Sequence, residues 1–233
     1  MSDIITATGI YRHFGEDNLC TEVLKGIDIS VAEGEFLAIM GKSGAGKSTL
    51  MYQLSVLDTP NQGSLMIDGT DVTVLSEEER TAFRLSTLGY VFQNYALVPD
   101  LSAEENVMLP LLMRGFSWGK AKDRARHSLT NVGLENKFTN LPAELSGGEQ
   151  QRVAVARALT GKPKIIFADE PTANLDSVSG TQVIDLLVHL HKDYGQTIVM
   201  VTHEEEYASD CDRILYMEDG VITSTKQQKS DLP

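Results

Sequence analysis

Eight consecutive residues, Gly41-Lys42-Ser43-Gly44-Ala45-Gly46-Lys47-Ser48, constrain this chain more than any other segment. They satisfy the pattern G-x-x-x-x-G-K-[ST], in which glycines let successive backbone amides turn toward phosphate oxygens. The pattern is meaningful only between a strand and a helix. Glu35-Phe-Leu-Ala-Ile-Met40 reads as a buried strand ahead of it, and a helix is predicted from about Lys47 to Leu57 behind it. The start of that helix adds a positive end to the ring of amides. Lys47 is then placed to reach the β- and γ-phosphates of a nucleotide, and the Ser48 hydroxyl to coordinate Mg²⁺. Together with Thr49, these residues form the candidate nucleotide-phosphate site.

Such a loop needs a strand–helix scaffold, and the rest of the chain supplies one. Val23 to Val31 and Gly63 to Gly69 read as short strands near the start, and Lys164–Ala168, Thr197–Val201 and Arg213–Met217 as strands near the end. A helix from about Val178 to Lys192 connects the first two of that last group. The middle is helical. Ser102-Ala-Glu-Glu105 and Ser146-Gly-Gly-Glu149 are capping-box patterns, Lys120 to Val132 reads as a helix, and the helix after Ser146 runs to about Thr160, stopped by Gly161 and Pro163. Strand–helix alternation around a helical middle predicts an α/β fold with a parallel-sheet core and a helical insertion. Residues 1–92 and 163–233 are assigned to the core and about 93–162 to the insertion, in a single domain that closes on a polar tail, Ser224 to Pro233.

The composition agrees with one packed domain: 233 residues, 42% hydrophobic, exclude a disordered or collagen-like chain. A formal net charge of −13 makes the chain a poor general binder of nucleic acid, since its long-range field repels phosphate; no nucleic-acid partner is expected. Cys20 and Cys211 lie at opposite ends of the chain without a C-x-x-C pair, which suits a reducing compartment and offers neither a zinc site nor a disulfide framework. The opening residues lack the regions of a signal peptide, and no apolar run approaches the ~18 residues of a membrane span. The expectation is a cytoplasmic chain that meets a membrane only through a partner.

A second chemical segment is Ile165-Ile-Phe-Ala-Asp169-Glu170. Four apolar residues form a buried strand that delivers two carboxylates to its C-terminal end, where open α/β sheets bind ligands. Asp169 can hold Mg²⁺ through water, and Glu170 can orient and polarise an attacking water.

Leu145-Ser-Gly-Gly-Glu-Gln-Gln-Arg152 narrows the field. With the phosphate loop and the acidic strand, it makes the chain similar to the ATP-binding cassette (ABC) ATPases, and the resemblance covers nearly the whole chain in the right order. It implies a P-loop NTPase core of RecA-like type with a mainly parallel sheet, an antiparallel β subdomain and an inserted α-helical subdomain. It also implies ATP and Mg²⁺ bound between two head-to-tail copies, the phosphate loop of one facing the signature of the other. Ser146, Gly147, Gly148 and Glu149 then lie against the ATP held by the partner copy. Gln93, in Tyr90-Val-Phe-Gln-Asn94, matches the family glutamine that senses Mg²⁺ and the attacking water. Asp176 matches the aspartate that crosses the dimer interface, and His203 the switch histidine on the γ-phosphate. Tyr11 sits where a family aromatic stacks on adenine. Position 149 is Glu where the family usually shows Gln, which adds negative charge near the partner's ATP, and Ala45 replaces a frequent Ser.

Val91-Phe-Gln-Asn-Tyr-Ala-Leu-Val-Pro99, Glu105-Asn-Val-Met-Leu-Pro-Leu-Leu112 and Ala168-Asp-Glu-Pro-Thr-Ala-Asn-Leu-Asp-Ser177 are similar to the lipoprotein-release and macrolide-export group. That likeness implies an integral membrane permease as partner and a peripheral place on the cytoplasmic face of the membrane. It puts a groove for a permease helix at Tyr95, Leu97 and Val107–Met113. The other reading left open is an ATPase that gates a membrane complex without moving cargo. A small-molecule kinase would not need Leu145–Arg152. The ABC ATPases of DNA repair insert long coiled coils and those of translation carry two cassettes, features this sequence lacks.

Overall fold

Three five-residue runs, Phe36–Met40, Ile165–Asp169 and Thr197–Val201, are buried at every position. Such runs, lacking the polar alternation of a half-exposed sheet, are what parallel strands covered on both faces require. The structure, a computed structural model, describes residues 2–15 and 21–228. Cys20 and the last residues of the polar tail therefore lie outside the described residues.

In chain order the elements are β1 (Asp3–Phe14), β2 (Thr21–Ala32), β3 (Phe36–Met40), α1 (Lys47–Leu54), β4 (Gln62–Ile67), β5 (Thr70–Asp71), α2 (Glu77–Thr87) and β6 (Leu88–Val91). They continue through α3 (Ala103–Met113), α4 (Trp118–Asn131), α5 (Gly147–Thr160), β7 (Ile165–Asp169) and α6 (Ser177–Tyr194). The last are β8 (Thr197–Val201), α7 (Glu205–Ala208), β9 (Arg213–Glu218) and β10 (Val221–Gln227). The chain divides into two compact units, one formed by residues up to Thr81 with those from His191 onward, the other by Ala82–Leu190.

In the first unit β1, β2, β4 and β5 form an antiparallel sheet in the order β2-β1-β4-β5. Beside it β3 pairs in parallel with β8 and with β9, and β10 closes antiparallel on β9. In the second unit β6 and β7 pair in parallel, Val91 opposite Ala168. There α4 presents Ala121, Ala125, Ser128 and Leu129 inward, the i, i+4, i+7, i+8 stripe of an amphipathic helix. Glu104, a buried carboxylate on α3, is neutralised by Arg126 at 2.7 Å and Lys122 at 3.2 Å.

Several elements differ from the sequence reading for definable reasons. The first helix stops at Leu54, because Ser55 caps it and Val56 turns left-handed at φ 60°. Helix α2 leaves little hydrophobic pattern in the sequence: it fully buries no residue, and the face it half-buries, with Arg80, Phe83, Arg84 and Thr87, is mostly polar. It stands on Ser76, whose amide donates to Glu79 at 2.8 Å, and on the Glu77–Arg80 pair. The polar tail begins later than its composition suggests, since β10 runs to Gln227 by pairing with β9. In the expected permease groove, Val107, Met108 and Leu111 are fully buried as core of the second unit, while Met113 is exposed.

Candidate functional site

The phosphate loop leaves the C-terminal end of β3. A Cβ on Gly41 would collide with the Met217 carbonyl, so only glycine lets the chain pass β9 there. Gly46 caps α1 in a left-handed conformation, φ 96°, with the Val23 carbonyl pressed close behind it. Having no side chain, it offers no side-chain cap, and the first amides of α1 point into the loop as donors for an anion. Lys47 is buried, and its Nζ donates to the Lys42 carbonyl at 3.1 Å, so the ammonium is folded back within the loop. The Ala45 amide shares that carbonyl at 3.2 Å, and the Ala45 carbonyl accepts from Gly220 at 3.1 Å. Ala45 is buried, so its methyl is shielded from water.

Two further predicted residues lie in the same unit. His203 is exposed just past β8, two residues beyond Val201, which pairs with Ile39 near the end of β3. It thus shares the C-terminal edge of the parallel strands with the phosphate loop. Tyr11 stands on β1 opposite Lys25 of β2, at 36% exposure. The Lys25 amide donates to Gly220 at 3.0 Å, which ties the Tyr11 neighbourhood to the turn that supports Ala45.

The second unit holds the others. Asp169 is buried at the end of β7, with the Tyr90 hydroxyl 3.5 Å from its Oδ2. Glu170 follows with φ 43°, a left-handed conformation that costs a non-glycine residue about 1–3 kcal/mol and tends to be kept at functional positions. Gln93 is exposed two residues beyond β6, on the same edge as Asp169 and Glu170. Ser146 and Glu149 close the predicted capping box: the Ser146 hydroxyl accepts from the Glu149 amide at 3.3 Å, and the Glu149 carboxylate from the Ser146 amide at 2.8 Å. The bond from the Ser146 amide, then Lys137 at 3.2 Å, hold the Glu149 carboxyl below its ordinary range against a partial burial that opposes them. The carboxylate is therefore folded back and partly neutralised. Asp176, exposed, accepts from the amide and hydroxyl of Ser179, both at 2.9 Å, which lower its pKa in that order.

One set of residues escapes a reading of the sequence. Arg157 and Gln151 of α5 reach the loop around Gln93, as does Asn174, which the sequence singles out only as part of a segment. A signal for Arg157 does exist: an arginine inside Val153-Ala-Val-Ala-Arg157-Ala-Leu159 must find partners if its helix is buried.

A family model described as ABC transporter matches residues 24–173. The chain belongs to the ABC transporter family. It is 46% identical over 220 residues to the lipoprotein-releasing system ATP-binding protein LolD of Syntrophotalea carbinolica, covering 94% of this chain and 97% of that protein. It is 48% identical over 201 residues to LolD of Aquifex aeolicus, covering 86% and 89%. With the macrolide export ATP-binding/permease protein MacB 1 of Aeromonas hydrophila it shares 42% over 230 residues, 99% of this chain but 35% of that larger protein. Among solved structures it resembles the dimeric ATP-binding cassette MJ0796 in a post-hydrolysis state bound to ADP and Pi. The TM-score is 0.90 at 38% identity, covering 97% of this chain and 99% of that one. The fold is thus the α/β ABC cassette that the motifs implied. Among the described residues no helix is long and apolar enough to cross a membrane.

Proposed function

We propose that this ABC chain binds and hydrolyses ATP as the motor subunit of a membrane complex, two copies closing head to tail on ATP. They would drive a permease that exports, or mechanically releases, a lipoprotein, peptide or antibiotic. The observation that carries the reading is the phosphate loop, where glycine-capped amides and the in-folded Lys47 form a preorganised anion cradle. The relatives add weight, since LolD is named for lipoprotein release and MacB for macrolide export. Work at the membrane would then be peripheral, on its cytoplasmic face.

Ser48, Gln93 and Asp169 offer a hydroxyl, an amide carbonyl and a carboxylate, the hard oxygen donors that suit Mg²⁺, and the buried Asp169 stands ready at a strand end. When bound, the cation neutralises phosphate charge as it develops. Lys47 compensates the β- and γ-phosphates, Tyr11 stacks on the adenine, and Glu170 orients the water and polarises it for attack. His203 contacts the γ-phosphate, and Ser146 with the amides of Gly147 and Gly148 receives the γ-phosphate of the ATP on the partner copy. Asp176 crosses to the partner. Chemistry of this kind is positioning and charge stabilisation, so a lone copy holds only part of the catalytic site.

The test is Glu170→Gln. The amide keeps the shape but cannot act as a base, so turnover is expected to fall by about 10²-fold or more, while ATP binding persists and an ATP-bound dimer accumulates in size-exclusion chromatography. Unchanged hydrolysis would remove Glu170 from the mechanism. Purifying that variant with ATP and Mg²⁺ from detergent-solubilised membranes should co-isolate a multi-span permease. Recovery of soluble proteins alone would leave the ATPase and refute the transport role.

A further inference from the structure

The loop from Phe92 to Leu97 is held by side chains instead of a strand ladder. Tyr95 and Ala96 are consecutive left-handed residues, φ 62° and 49°, and neither is glycine. Arg157, on the last turn of α5, spans both: one Nη donates to the Tyr95 carbonyl at 2.8 Å and the other to the Ala96 carbonyl. Asn174 Nδ2 donates to the Gln93 carbonyl at 2.9 Å, and the Tyr95 hydroxyl returns a bond to the Asn174 carbonyl at 3.2 Å. The buried Gln151 bonds the Pro171 carbonyl at 2.8 Å and reaches the Phe92 carbonyl at 3.4 Å. Burial lowers the Arg157 pKa, in keeping with a guanidinium withdrawn from water to meet two carbonyls.

We infer that Arg157 is a positioning residue for Gln93, its planar fork fixing two left-handed carbonyls so that the glutamine two residues earlier is presented in one orientation. Because Arg157 stands on the helix whose first turn is the signature, the same contact makes the Gln93 loop and the signature helix move as one piece. Lysine cannot replace it: an ammonium keeps the charge but does not span two adjacent carbonyls as a flat fork does. The inference rests on the proposed role of Gln93 in hydrolysis.

The experiment is a cycle of Gln93→Ala, Arg157→Lys and the double variant in the full chain, measuring turnover, ATP affinity and thermal melting. Arg157→Lys is expected to lower kcat about 10- to 100-fold, as a small displacement of a catalytic group does. ATP affinity should stay within about threefold, because the phosphate loop is untouched. In the Gln93→Ala background Arg157→Lys should add less than about twofold, since residues acting through one another are non-additive. Full multiplication of the two effects, or a matched fall of kcat and affinity, would overturn the inference while leaving the reading of Gln93 intact. Unchanged turnover in Gln93→Ala would overturn that reading and the inference with it. Should Arg157→Lys fail to fold, Asn174→Ala, which removes one bond to the Gln93 carbonyl, takes its place in the cycle with the same outcomes.

Discussion

The phosphate loop and the Gln93 loop solve the same problem in opposite ways. Each must hold an irregular stretch of backbone beyond the end of a parallel strand. The phosphate loop does so by omitting side chains: Gly41 passes the Met217 carbonyl with no room for a Cβ, and Gly46 turns left-handed at the helix cap. The stretch from Phe92 to Ser102 does so with long side chains from elsewhere in its unit. Arg157 and Asn174 take its carbonyls, and the fully buried Asn106 bonds both the amide and the carbonyl of Val98. A loop built from glycines has few independent parts that can shift. One held by several side chains can be retuned by any of them, which suits a segment proposed to sense a ligand.

The sharpest way to break this comparison is at Gly41. Gly41→Val should abolish measurable nucleotide binding and cost more than about 3 kcal/mol of stability, because the clash is with backbone that cannot turn aside. Fluorescent-nucleotide titration and thermal melting would check both; retained binding would show that the loop tolerates side chains after all. Asn106→Ala is the matching change on the other side. It deletes bonds to Val98, Leu101 and Ser102 and strands buried backbone groups, at a cost of about 2–4 kcal/mol. Denaturant unfolding should show that loss while nucleotide affinity stays nearly unchanged.

The contrast also explains what can be read from the sequence. Glycines at fixed offsets are visible as letters, so the phosphate loop, its strand and its helix are legible in the residue order alone. The capping boxes at Ser102 and Ser146 are visible for the same reason, since each serine meets a glutamate three residues on, and Ser76 meets Glu79 with the same spacing at the start of α2. Arg157 lies about sixty positions from its carbonyl partners, and no local pattern records such a bond. Helix α2 is harder to read because the face it half-buries is mostly polar, Arg80, Arg84 and Thr87 beside Phe83. Val107–Leu111 looks like a docking groove because an apolar helical segment reads the same whether it packs inward or outward.

The signature segment supplies a gentler test. Glu149 is expected from its position to add negative charge near the partner's ATP, yet its carboxylate is folded onto the Ser146 amide and paired with Lys137. Removing the lysine should restore the repulsion. Lys137→Met is expected to weaken ATP-driven dimerisation by about two- to fivefold, the size of a partly exposed ion-pair effect. Adding Glu149→Gln should recover most of it, because the charge is then gone. Analytical ultracentrifugation with the Glu170→Gln background would measure both steps. Failure of the second change to rescue the first would mean that Lys137 acts on something other than Glu149.

The smallest effect expected lies at the opposite end of β3 from the phosphate loop, at the foot of α6. His191 Nε2 stands 3.3 Å from Asp212 Oδ2, which also accepts from the Phe36 amide at 2.9 Å. The hydrogen bond to Asp212 leads in raising the His191 pKa above 6.5, outweighing burial. For Asp212 burial pushes upward, but the bonds from His191 and Phe36 with nearby positive charge carry it below 3.8. The histidine's contribution is then complete below about pH 6.5 and lost as pH rises through its raised folded value; the aspartate's is present above about pH 3.8 and lost as pH falls through its lowered one. Between those limits the pair contributes in full, so melting temperature should decline modestly from pH 6 to pH 8 on its account. His191→Gln, which keeps a donor but cannot titrate, should flatten that part of the curve. An unaltered slope in the variant would assign the decline to other groups, whereas a flattened one would show that this strand-end contact, unlike either loop, is governed by protonation.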